Sequence, residues 1–188
     1  MRLKPLQLLL LSCYAGALPA AVVCSSGVLS IPATTEGLYI NLVTGVSGQT
    51  EASVPGFDFN PYAAASTDPP DQLKFYWGAV ASNGAGVATF GDTYAVLGDG
   101  VLIGPASLFT RAGFTGDTSA WQAGTTGYLG LRFRNEAAAN ATHYGWLRLE
   151  TTAPLGFPAT IRGWCFEDSG AAIRTPDPGV VLIDGFEG

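Results

Sequence analysis

The chain has 188 residues, 25 of them Gly and 12 Pro, and only 13% carry charge. A length of this order suits one domain with a core of its own, and helix formers are too scarce for a bundle or coiled coil: beyond residue 20 there are one Lys, six Glu, three Gln and no Met, against 17 Thr. The formal charge of −6 supplies no basic footprint, which argues against nucleic acid and anionic membrane surfaces as partners and leaves an acidic all-β domain.

The first residues carry an export pattern. Arg2 and Lys4 precede an apolar run, Leu6 to Tyr14, that is too short to cross a bilayer and right for the central region of a secretory signal. Small residues follow, so residues 1–17 read as a signal peptide cleaved after Ala17, with Ala20 as a second possible end. Cleavage would leave seven basic residues against 15 acidic ones and Lys74 as the sole lysine. It would also discard Cys13. The remaining pair, Cys24 and Cys165, is expected to form a disulfide in an oxidising compartment, with two buried thiols as the alternative. Val22-Val23-Cys24 has a bulky residue where lipid attachment needs a small one, which argues against a lipoprotein.

Strand-like stretches bounded by turn residues follow in order: 37–44, 73–80, 93–97, 128–134, 143–150 and 160–166. Two short strands around an Asp99-Gly100 turn are expected over 95–103, because Asp-Gly readily supplies the backbone angles of a tight hairpin. In the stretch from Tyr128, Leu129, Leu131 and Phe133 fall on one face and Arg132 and Arg134 on the other. Leu147 and Leu149 repeat that pattern opposite Trp146, Arg148 and Glu150. Residues 135–142 read as the connection of a hairpin, in which Arg132 or Arg134 would face Arg148 or Glu150. With the strand around Ile161 to Cys165, after the Pro154–Pro158 corner, these make a three-stranded meander. A meander needs a partner layer, expected from the N-terminal strands. The resulting division is a β-sandwich or jelly-roll domain over 18–174 and, over 175–188, a Pro-Gly spacer with a terminal strand or tail motif.

The stretches Tyr128-Leu-Gly-Leu-Arg-Phe133, His143-Tyr-Gly-Trp146 and Gly156-Phe-Pro-Ala-Thr-Ile161 resemble motifs of a group of secreted proteobacterial β-proteins, many of which carry a PEP-CTERM sorting tail. The ending Ile183-Asp-Gly-Phe-Glu187 lacks that tail's Pro-Glu-Pro signal, apolar helix and basic end. The resemblance implies an exported β-fold and no catalytic residue.

Three constellations bear on chemistry. His143, the only histidine, lies in a strand pattern beside Leu147 and Leu149, and no Gly-x-Ser-x-Gly elbow accompanies it, so a triad is not expected. Glu136, Glu150 and Glu167 are the candidates for a paired-carboxylate glycosidase. Asp58 with Asn60, Asp92, Asp99 and Asp117 are candidate calcium ligands, being hard oxygen donors in or near Gly-rich loops. Among the aromatics, Trp77, Tyr144 and Trp146 would stack on sugar rings if they stood exposed on one face. The expectation is a secreted or cell-surface structural or binding protein without catalysis, whose partner is an extracellular polysaccharide or a cell-surface component. A carbohydrate-binding module is the alternative and a small glycosidase the third reading.

Overall fold

The computed structural model describes residues 21–77, 84–110 and 116–177, so the expected signal peptide, the end of the expected strand 73–80, residues 111–115 and residues 178–188 lie outside the described residues. Fourteen strands occur among these residues, and every pair between them is antiparallel. The fold is all-β.

The main sheet is built on the three long C-terminal strands: β11 (Thr126–Asn135), β12 (Ala141–Glu150) and β13 (Ala159–Glu167). They form the expected meander, and the 135–142 connection closes a hairpin in full register from Thr126↔Glu150 to Asn135↔Ala141. Beyond β13 lie β1 (Val22–Ser25) and β2 (Leu29–Ile31); beyond β11 lie β7 (Gly86–Phe90), β8 (Thr93–Tyr94) and β10 (Phe109–Thr110). β1 and β2, which lie before the first expected strand, extend the meander's own sheet, and the expected opposing layer is built from the N-terminal strands that follow them.

That layer comes from residues 37–77. The ladder of β3 (Tyr39–Ile40) with β4 (Ser47–Gly48) and the hairpin of β5 (Asn60–Ala64) with β6 (Gln72–Tyr76) bring Ile40, Phe59, Leu73, Phe75 and Trp77 onto Leu129, Phe133, Leu147, Leu149 and Trp164. The anticipated strand 37–44 is only two residues long because Asn41 turns the chain: its side-chain Oδ1 accepts from the Val43 and Thr44 N–H groups at 3.0 and 2.9 Å. The other face of the main sheet is covered by residues 95–109 and β14 (Ile173–Arg174), with Leu97, Ile103, Tyr144, Cys165 and Ile173 in a second apolar cluster. Here β9 (Leu102–Ile103) pairs with β14, so residues 95–103 form no local hairpin. Thr175 is buried against this face, donating to the Gly98 carbonyl and accepting from the Val101 N–H.

A bulge on β13 sets which side chains meet which face. Leu147 opposes Trp164 and Leu149 opposes Ile161, so Arg148 faces two residues, one of them Gly163 at φ +135°. A β-carbon at Gly163 would stand 2.7 Å from the Ser25 carbonyl oxygen, and the angle favours glycine. The extra residue puts Ile161, Trp164 and Phe166 together in the larger core and turns Cys165 to the opposite face. There it is bonded to Cys24, its register partner on edge strand β1, across 141 residues of sequence.

Candidate functional site

Most of the nominated side chains hold the fold together. Trp77 is 1% exposed and Tyr144 is buried beneath Phe109, on opposite faces of the main sheet. Trp146 is half-buried, donating from Nε1 to the Arg174 carbonyl at 3.1 Å and packed edge-on against Tyr128. The three rings make no shared exposed row, because the larger core takes Trp77 and the second cluster takes the other two.

His143 is buried between Phe133 and Phe166, and its two ring nitrogens lie 3.0 and 2.9 Å from the carbonyl oxygens of Ala141 and Asp168. Glu167, a glycosidase candidate, is buried and accepts from the N–H groups of Ser169 and Ala171 and from the Ser169 hydroxyl, so it builds the turn after β13. Glu150 pairs with Arg162 at 2.7 Å across β12 and β13. The register sets Arg132 against Tyr144 and Arg134 against Thr142, so neither arginine faces Arg148 or Glu150.

The calcium candidates do not converge. Asn60 is buried and its side-chain amide donates to the Glu36 carbonyl. Asp117 accepts from the Ser119 N–H and the Thr93 hydroxyl, and the Ser119 contacts, backbone first, hold its carboxyl below the usual range. Asp92 and Asp99 are exposed in other loops. No three His, Cys, Asp or Glu side chains among the described residues gather as a metal site.

Asp58 differs from the rest. It is 8% exposed, just before β5, and its Oδ2 accepts from the Leu42 N–H at 2.8 Å. The other carboxyl oxygen has no hydrogen-bond partner among the described residues, and Asp58 lines a cleft of about 490 Å³. Burial, the dominant cause, pushes its carboxyl up to about 8, assisted by the charge of Glu136 and opposed by the Leu42 N–H. Asn41 shapes this wall from behind, donating from Nδ2 to the Pro55 and Gly56 carbonyls.

The opposite wall is the β11–β12 hairpin. Asn135 accepts from the Ala138 N–H and so caps the helical turn Glu136–Ala138, while Arg134 Nη1 donates to the Asn140 carbonyl at 2.9 Å. Glu136 reaches back over Gly56: a methyl group built on Gly56 would come within 2.5 Å of Glu136 Oε1. Gly56 thus seats the Glu136 carboxylate two residues from Asp58. Glu51, Pro55, Phe57 and Ala85 complete the lining.

Composition alone nominated Asp58 and Glu136 for separate roles, calcium and catalysis. The structure brings the two together. No family model, no curated protein and no solved structure matches this chain.

Proposed function

We propose that the chain is an exported β-domain that acts by binding a ligand in the Asp58–Glu136 cleft and not by catalysis. The observation that carries this reading is the Asp58 carboxyl itself, more than nine-tenths buried yet with one oxygen open toward a cleft. A largely buried carboxyl with one oxygen reachable from a cleft is a place where a ligand can supply a hydrogen bond in exchange for water. Export is supported by the amino-terminal pattern, by the resemblance to secreted β-proteins, and by the Cys24–Cys165 disulfide. Two measurements test it. Expression of the full chain followed by fractionation and amino-terminal sequencing should find an extracytoplasmic product beginning at residue 18 or 21; cytoplasmic protein retaining Met1 would overturn export. A fragment screen by amide NMR should show shifts clustered at Gly56 to Asp58 and Glu136, and a screen with no shifts there would overturn the binding site.

One observation favours a second reading, glycoside hydrolysis. A carboxyl kept protonated by burial beside a second, exposed carboxylate is the arrangement of an acid and its partner in that chemistry. Release of nitrophenol from aryl glycosides, lost in Asp58→Asn, would establish it; no release across a panel of sugars leaves the binding reading in place.

A further inference from the structure

We infer that the cleft takes a primary ammonium group on an apolar stem, with the Asp58 oxygen that has no partner among the described residues and the Glu136 carboxylate as its acceptors. This inference rests on the reading that the cleft is the binding site. Three side-chain acids line it, Glu51 on the helical turn before Val54, Asp58 beside β5 and Glu136 on the hairpin, against one guanidinium, Arg134 on β11. The balance is acidic, as is the whole chain at −6, so a cation is drawn in and an anion repelled. A hard divalent ion is a poor occupant, because it asks for six or more oxygen ligands and the acids do not gather as a metal site. An ammonium asks only for three acceptors. The remaining wall, with Ala52, Pro55, Phe57 and Ala85, is apolar and suits a short alkyl stem.

Binding has a proton balance. Near neutral pH Asp58 holds its proton, since burial pushes its carboxyl up to about 8; the arriving ammonium favours the carboxylate, and the displaced proton leaves to buffer. Glu51, Glu136 and Arg134 are the charged groups facing it. Affinity for an alkylammonium should therefore rise with pH by up to about tenfold per unit below about 8 and level off above it.

The test uses the disulfide-bonded mature chain titrated with n-pentylammonium, tetramethylammonium, 1-pentanol and methyl glucoside, followed by amide NMR and by calorimetry in buffers of different ionisation heat. The expected result is saturable binding of n-pentylammonium with shifts at Gly56 to Asp58, proton release at pH 7, and at least about tenfold weaker binding of the other three probes. Glu136→Gln, an exposed change, should weaken n-pentylammonium by about tenfold, the scale of one charge-assisted hydrogen bond. Asp58→Asn keeps an acceptor for the Leu42 N–H and should abolish proton release. Equal binding of 1-pentanol or tetramethylammonium, or indifference to both substitutions, overturns the inference. Shifts in the cleft with methyl glucoside but none with n-pentylammonium overturn it while leaving the binding reading intact; no shifts from any probe overturn both.

Discussion

Replacing Asp58 by Asn should change how stability depends on pH. In the unfolded chain the carboxyl titrates near its ordinary value of 3.8, and in the fold near 8. Below both values the group is neutral in both states. Between them the unfolded chain ionises and the folded one holds its proton, so stability falls as pH rises through this window and stays low above it. At about 1.4 kcal/mol per pH unit the loss approaches roughly 6 kcal/mol as an upper bound, reduced by whatever water reaches the open oxygen from the cleft. Asn has the same shape, keeps an oxygen for the Leu42 N–H and does not titrate. The difference between wild type and Asp58→Asn should therefore grow from near zero at pH 4 to at least about 2 kcal/mol in favour of the variant at pH 9. Other shifted groups lie outside the window: the Tyr39 hydroxyl is pushed up to about 12 by burial and by Glu36, and the Asp117 carboxyl is lowered. Urea unfolding of both proteins at unit steps of pH measures the difference, and parallel curves across pH 4 to 9 would refute the reasoning.

Three further outcomes follow from the same structure. The double substitution Cys24→Ser with Cys165→Ser should lower stability by about 2–5 kcal/mol, since the bond closes a loop of 141 residues; an unchanged guanidinium midpoint would count against a structural bond. Gly163→Ala should cost more than about 2 kcal/mol, because the residue sits at φ +135° with the Ser25 carbonyl beside it, and thermal unfolding reads the loss. Leu147→Ala should cost about 2–5 kcal/mol and its neighbour Arg148→Ala less than about 0.5 kcal/mol, because the two point to opposite faces of β12 and only Leu147 is buried; similar costs from chemical denaturation would contradict the assignment of faces.

Much of the meander was legible in residues 126–166. Alternation of Leu129, Leu131 and Phe133 with Arg132 and Arg134 is a local signal, because a strand's side chains change face at every residue whatever the rest of the chain does. The same rule fails at β13, where strict alternation places Ile161 and Cys165 on one face. The bulge at Gly163 separates them, and that bulge is specified by packing against β12 and β1. The burial of Trp77 was not legible for a related reason: an aromatic residue at the end of a strand reads the same whether the layer above it is solvent or, as here, the face bearing Leu129 and Phe133.

By itself the sequence determined an acidic, all-β chain with an export-like pattern at its start, the cysteines Cys24 and Cys165 as a candidate pair, and corners marked by Gly, Pro, Asn and Asp. These depend on composition and on spacing over a few residues. Only the tertiary structure decided that Asp58 is buried, that one of its oxygens stays open to a cleft, and that Glu136, far along the chain, lies against Gly56 beside it. Desolvation and charge proximity are properties of what surrounds a group in space, so they arise only once the two ends of a long loop have met.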